Sequence, residues 1–302
     1  MALALSGGPD STALLHLLLD WARAQDRTVT ALIVDHGLRA GSDAEAHQVA
    51  ASARAAGAAA SVLRWPGPKP ATGIQAAARA ARYALMLDWC RETGVGALFL
   101  GHHLDDQAVT VLMRLKAGSG IDGLGAMRTN SQRDGIRLIR PLLEVRKAEL
   151  TGWLDARAIA YVSDPTNRSP DHERNRLNAW LNARPPGERL PERLARLARR
   201  SARASAALEE LTDRAQAALV TPGTAAGYKI ERTGWEALSD EIALRLIARL
   251  VARVAGRKPG LSTLEDALAR LPSQRRVTLA GVEIALKPDR IRIVMAPARR
   301  KT

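Results

Sequence analysis

Short apolar runs of strand length alternate with longer stretches of helical period through the first half of the chain. Ala2 to Leu5, Val29 to Val34, Ala60 to Trp65, Ala97 to Leu100 and Ile136 to Ile139 read as strands. Between them, Leu14, Leu15, Leu18 and Leu19 open a helical pattern, followed by helices over 43–56, 72–91, 104–116 and 145–158. A near-continuous run such as VTALIV predicts a strand buried on both faces, as in a parallel sheet. The alternation predicts an α/β fold with a doubly wound, mostly parallel sheet. Pro185-Pro186-Gly187 marks a boundary. Beyond it the pattern turns helical over 190–219, with Leu190, Leu194 and Leu197 on one face and Arg193, Arg196, Arg200 and Arg203 on another. Helices over 240–255 and 263–271 and two strand-like runs within 277–294 complete a basic helical module with a small C-terminal β element.

Three polar clusters fall at strand ends, and in doubly wound sheets ligands bind beyond the carboxyl ends of the strands. The first is Ser6-Gly7-Gly8-Pro9-Asp10-Ser11. Gly7 and Gly8 permit positive φ and close approach of a ligand, Pro9 suits a first helical turn, and the free N–H groups of a helix start favour a phosphate. No lysine lies near, so this is not the GxxxxGK[ST] loop; a strand–turn–helix corner capped by Asp10 and Ser11 is the structural alternative. The second cluster is Asp35-His36-Gly37. The third, His102-His103-Leu104-Asp105-Asp106-Gln107, puts two imidazoles at a strand end and two carboxylates in a first helical turn, where they are placed to ionise and hold Mg²⁺ against phosphate oxygens. Zinc is disfavoured, because neither cysteine nor HExxH spacing accompanies the pair. Gln75, Arg79 and Arg82 share a helix face, and Arg174, Asn175 and Arg176 form a second donor cluster after the Asp164-Pro165-Thr166-Asn167 turn. Either group clamps phosphates or is an ordinary solvated face.

Composition sharpens this picture. The 302 residues carry 45 Lys and Arg, of which 38 are Arg, against 31 Asp and Glu, a net charge of +14. Such an excess calls for a polyanionic partner, nucleic acid before membrane. The single cysteine, Cys90, excludes internal disulfides and cysteine-ligated clusters and reads as a buried small residue. Neither a signal-peptide pattern nor a membrane-length apolar run is present, so a cytoplasmic location without membrane contact is expected.

Taken in order, SGGPDS, VDHGLR at 34–39, GIQAAARAARY at 73–83, GHHLDDQAVT at 101–110, LKAGSGIDGL at 115–124 and DPTN…RNRL at 164–177 resemble the tRNA(Ile)-lysidine synthetase family of the N-type ATP pyrophosphatases. The resemblance covers about the first 180 residues. It implies an adenine nucleotide alpha-hydrolase-like catalytic domain over 1–184, a basic helical tRNA-binding domain over 185–256, and a small α/β element over 257–302. It further implies a ligase using ATP and Mg²⁺. The C2 oxygen of the wobble cytidine of a CAU-reading isoleucine tRNA is adenylated with release of pyrophosphate, and the ε-amine of free L-lysine then displaces AMP. Carried over by position, Ser6, Gly7, Gly8, Pro9, Asp10, Ser11, Asp35 and His36 would bind ATP. Asp10, Asp105 and Asp106 would be catalytic, with Mg²⁺ on Asp10 and Asp105. Arg79, Arg82, His102, His103, Arg174, Asn175 and Arg176 would serve nucleotide or tRNA, and a homodimer is compatible with the family.

The chain departs from the family pattern at Gln75 and Val109, where the family usually has Glu; by helical spacing, a glutamate at 109 would join Asp105 and Asp106. Two alternatives follow. Another tRNA-modifying enzyme of the superfamily, such as a thiolase, would need cysteines that this chain lacks. A non-catalytic tRNA-binding homologue is favoured by Gln75 and Val109 and opposed by the intact SGGPDS and HHLDDQ.

Overall fold

The computed structural model describes residues 1–162, 173–223 and 226–297. Their contacts form two units: residues 1–117 with 125–199, and residues 118–124 with the chain from Arg200 onward. The Asp164–Asn167 turn lies outside the described residues.

In the first unit, β1 (Ala2–Ala4), α1 (Pro9–Ala24), β2 (Thr30–Asp35), α2 (Ser42–Ala55), β3 (Ala59–Arg64), α3 (Ile74–Glu92), β4 (Ala97–Phe99) and α4 (Leu104–Lys116) alternate as the pattern predicts. After α5 (Ile121–Leu124), β5 (Asn130–Arg133), β6 (Ile136–Ile139), α6 (Lys147–Asp155) and α7 (Glu173–Asn182) follow. The sheet order is β3-β2-β1-β4-β6-β5, parallel except for the antiparallel β5–β6 pair. Strand order reverses between β1 and β4, which opens a crevice at their carboxyl ends.

β2 shows why the sheet is covered on both sides. Ala31 and Ile33 pack with Leu14, Leu18, Ala50, Leu150 and Leu154 from α1, α2 and α6. Leu32 points to the opposite face, among Tyr83, Met86, Leu87 and Cys90 of α3. Cys90 is fully buried, and burial raises its thiol pKa; it is a core residue. Strand β5 has no counterpart in the sequence reading: it is polar, lies at the sheet edge, and is joined to β6 by Asp134-Gly135, both with positive φ, the geometry of a tight hairpin.

In the second unit, α8 (Leu190–Leu219), which contains the dividing point, leads into β7 (Val220–Pro222), β8 (Tyr228–Glu231), α9 (Arg232–Glu236), α10 (Asp240–Ala255), α11 (Leu261–Gln274), β9 (Arg276–Leu279), β10 (Val282–Leu286) and β11 (Arg290–Met295). The strands form an antiparallel sheet, β7-β8-β11-β10-β9, with Leu246, Leu250, Leu264 and Leu271 packed on Ile284, Ile291 and Ile293. The tail thus contains three strands rather than two, and two more precede α10. Segment 118–124, read as a loop of the first half, belongs to this unit: Asp122 Oδ1 accepts from Arg245 Nη2 and Ser205 Oγ, each at 2.6 Å. On α8 the arginines at 193, 196, 200 and 203 are exposed as expected. Leu197 is exposed too, because the inward face is made of Leu194, Ala198, Ser201 and Ser205. Among the described residues, no helix is long and apolar enough to cross a membrane.

Candidate active site

The chain leaves β1 into Ser6-Gly7-Gly8 and enters α1 at Pro9. Gly7 has φ +79°, and a Cβ there would lie 2.7 Å from Val49 Cγ2, so glycine is required for both backbone and space. Its carbonyl accepts from Val162 N–H at 2.8 Å and from Thr12 Oγ1 at 3.2 Å. Ser11 does not cap the helix. Its hydroxyl donates to Gly8 O at 3.1 Å and contacts Ser6 Oγ at 3.1 Å, tying the turn to itself. Asp10 leans toward the end of β4. Its Oδ1 is buried without a hydrogen-bond partner, while Oδ2 lies 3.3 Å from Lys147 Nζ and 3.7 Å from His103 Nε2.

Gly101 ends β4 against this turn; a Cβ would sit 3.1 Å from Ser11 N and 3.2 Å from Asp10 O. Beyond it, His103 is buried among three carboxylates: Asp106 Oδ2 at 3.3 Å, Asp105 Oδ2 at 3.5 Å and Asp10 Oδ2. Burial opposes its charge, but Asp105, Asp106 and Asp10 outweigh it and hold the imidazole above its ordinary value. His102 behaves oppositely. Burial, with Arg140, Arg79 and Arg82, pushes it down to about 4 against the pull of Asp106.

The two adjacent carboxylates have separate duties. Asp106 Oδ2 accepts the His103 N–H at 3.1 Å, closing the first turn of α4, and Oδ1 accepts from Arg174 Nη2 at 2.7 Å. Burial would raise its pKa, yet His103 and Arg174 keep it below the usual range. Asp105 accepts from Arg146 Nε at 3.0 Å and from the Lys147 N–H at 2.8 Å, and Arg146 Nη2 lies 2.9 Å from it as an ion pair. Burial pulls its pKa up, but His103, Lys147 N–H and Arg146 hold it far below the usual range. Both Asp105 oxygens thus have partners in this structure, whereas Asp10, the other carboxylate expected to hold Mg²⁺, keeps one oxygen without any. Among the described residues, no three His, Cys, Asp or Glu side chains are arranged as a metal site.

The crevice brings in two residues that sequence reasoning missed, Arg146 and Lys147 at the start of α6. Their signal was the placement of two cations at a dipole-positive helix end, which is unfavourable without an anion nearby. Asp105 is that anion, 41 residues earlier. Arg146 Nη1 also meets Glu192 Oε1 at 2.6 Å.

The remaining expected residues lie around this centre. Asp35 is buried, and its Oδ1 accepts from Ser42 Oγ at 2.7 Å and Gly37 N–H at 2.9 Å. Burial would raise its pKa, but these bonds keep it low and hold the 35–42 loop together. His36 packs edge-on to Trp65 at 6.0 Å, and burial lowers its pKa. Arg79 and Arg82 stack near the Tyr83 ring at 5.3 and 5.9 Å, with Arg133 at 5.0 Å. Arg174 enters through Asp106, whereas Asn175 and Arg176, its neighbours on α7, have partners of their own. Gln107 is structural: its amide donates to Met127 O at 2.7 Å and accepts Met127 N–H at 2.9 Å. Val109 is 1 % exposed in an apolar cluster with Leu181, Leu194 and Ala198. A glutamate there would therefore enter a core instead of joining the carboxylates, contrary to the helical-spacing argument.

Residues 1–184 match the family model of the PP-loop domain. The tRNA(Ile)-lysidine synthase of a Bradyrhizobium species (strain BTAi1) is 42% identical over 100% of this chain and 91% of its own length. That of Rhodopseudomonas palustris is 41% identical over 99% and 91%, and that of Wolbachia pipientis wMel 35% over 99% and 71%. Among solved structures, the U34-tRNA thiolase NcsA from Methanococcus maripaludis, with its [4Fe-4S] cluster, superposes with a TM-score of 0.53 at 18% identity, covering 65% of this chain and 71% of that one. This last likeness is one of fold.

Proposed function

We propose that this chain, which belongs to the tRNA(Ile)-lysidine synthase family, is an ATP-dependent ligase joining lysine to the wobble cytidine of a CAU-reading isoleucine tRNA. The observation that carries the reading is the meeting of the SGGPDS turn with His103 and Asp106 at the reversal between β1 and β4. The turn offers free helix-start N–H groups to a polyphosphate, and glycines at 7 and 101 let it pack closely against Val49 and the chain leaving β4.

The cytidine C2 oxygen attacks the α-phosphate of ATP, and the electron pair of the broken Pα–O bond leaves on pyrophosphate. The lysine ε-amine then attacks C2, and AMP departs. Negative charge grows on both leaving groups, and cationic side chains at the crevice offset it. Asp10 Oδ1, a buried oxygen with no partner, fits Mg²⁺, which takes one or two carboxylates and completes its shell with phosphate oxygens and water. Bound there, Mg²⁺ would supply charge to the departing pyrophosphate. Arg174, held by Asp106, and Arg79 and Arg82 beside the Tyr83 ring would take tRNA or nucleotide phosphates. The excess of arginine suits a tRNA partner in solution.

The reading is tested by following AMP and pyrophosphate release with lysine and tRNA supplied separately and together. Sustained release of both products is expected only when lysine and tRNA accompany ATP, with tRNA alone giving no more than one equivalent of pyrophosphate; ATP turnover indifferent to RNA would overturn it.

A further inference from the structure

The loop after β1 contains no lysine, yet an ammonium stands beside it. Lys147 comes from the first turn of α6, 137 residues away in the chain, and its Nζ lies 3.3 Å from Asp10 Oδ2. Its backbone is fixed rather than incidental. The Lys147 N–H donates to Asp105 Oδ2 at 2.8 Å, and Arg146, the residue before, grips the same carboxylate. Asp105 thus anchors the start of α6 and delivers the lysine side chain to the second residue of α1.

Among the described residues Nζ meets Asp10, and the lysine side chain is 45% exposed. An ammonium has three donors, so two remain for a ligand arriving over the helix start. The charges also leave room for an anion. The three carboxylates Asp10, Asp105 and Asp106 each already face a cation, namely Lys147, Arg146 and Arg174, and His103 lies among them. A triphosphate entering this crevice meets a site with no surplus negative charge.

We propose that Lys147 is the phosphate lysine of this loop, supplied from α6 instead of from the loop itself, and that it binds the β- and γ-phosphates of ATP. When the Pα–O bond breaks, the same ammonium stays with the pyrophosphate that carries away the electron pair, opposite the oxygen of Asp10 that suits Mg²⁺. Asp105 acts as the positioning residue for this lysine. The assignment rests on the ATP-consuming reading above.

The test is equilibrium binding to the full chain of two probes, an ATP analogue with a non-hydrolysable α,β bridge and AMP, which has no β- or γ-phosphate. Lys147→Met should weaken retention of the analogue about ten- to a hundredfold, the range of a charge-assisted hydrogen bond, and leave AMP within about twofold. Lys147→Arg should restore most of the loss. Equal loss of both probes, or unchanged binding of the analogue, would overturn the role of Lys147. If the unsubstituted chain holds neither probe, the ATP reading itself fails and takes this assignment with it.

Discussion

Asp105 and Arg146 lie 41 residues apart in the chain and meet through two guanidinium nitrogens on one carboxylate oxygen, at 3.0 Å (Nε) and 2.9 Å (Nη2). The carboxylate is buried, so losing a partner there is costly. Asp105→Ala should therefore destabilise the first unit by about 3 kcal/mol, because Arg146 loses the buried one of its two counter-ions and the start of α6 loses its acceptor. Arg146→Lys should recover little, since an ammonium cannot reproduce the two-nitrogen grip. Urea unfolding of the variants checks both values; a loss below about 0.5 kcal/mol for Asp105→Ala would mean that the anchor is ornamental.

Gly101 tests the packing of β4 on the phosphate turn. Gly101→Ala places a methyl 3.1 Å from Ser11 N and 3.2 Å from the Asp10 carbonyl, backbone atoms that can yield only by moving the turn. Its φ is not left-handed, so the cost falls on the site and not on the local conformation. Nucleotide binding should drop at least tenfold while the far-ultraviolet spectrum and unfolding midpoint change little. Normal binding would mean that the turn tolerates displacement.

Acid should weaken the protein through His102. Its folded pKa lies near 4 and its unfolded value near 6.5. Its contribution to stability is therefore fully present above pH 6.5 and is lost as pH falls toward 4, where the unfolded chain takes up a proton that the folded one refuses. His103 has the opposite sign, raised by Asp105, Asp106 and Asp10 against burial, but it is common to both proteins in the comparison. His102→Gln should flatten unfolding free energy between pH 6.5 and 4 relative to the unsubstituted chain. Parallel curves would refute the assignment.

In the second unit, Arg245 is 7 % exposed and meets Asp122, Glu209 and Glu241 at 2.6, 2.8 and 2.7 Å. Arg245→Met would leave three carboxylates without their shared cation. Their partial exposure lets water relieve part of the cost, so a loss of about 2 kcal/mol is expected, with faster proteolysis at 118–124 because Asp122 ties that segment down. Unaltered cleavage there would show that the segment is held by something else.

What the sequence made legible was whatever a contiguous stretch could carry. The SGGPDS turn, the apolar strands of the first sheet and the HHLDD corner each contain their own signal, in glycine placement, periodicity or strand-end position. Arg146 and Lys147 could not be read that way, because the groups that give them meaning lie 41 and 137 residues off. Strand β5 was missed because an edge strand exposed on both sides has no alternation to show. The residues 118–124 look like a loop of the first half, and only the contact of Asp122 with Arg245 assigns them to the second unit. At Val109 helical spacing was followed where packing decides: the residue sits in the apolar contact of α4 with Leu181 and Leu194. Asp105 and Asp106 are adjacent and look alike in sequence, yet one anchors α6 and the other meets Arg174.

Lysine ligation itself is read out as transfer of labelled lysine to tRNA in the presence of ATP. Label should enter isoleucine tRNA bearing a CAU anticodon, with one AMP and one pyrophosphate released per lysine, and should not enter the same tRNA with its wobble cytidine replaced by uridine. Lysine-free adenylate turnover, or equal labelling of the uridine tRNA, would rule out a lysine ligase specific for the wobble cytidine.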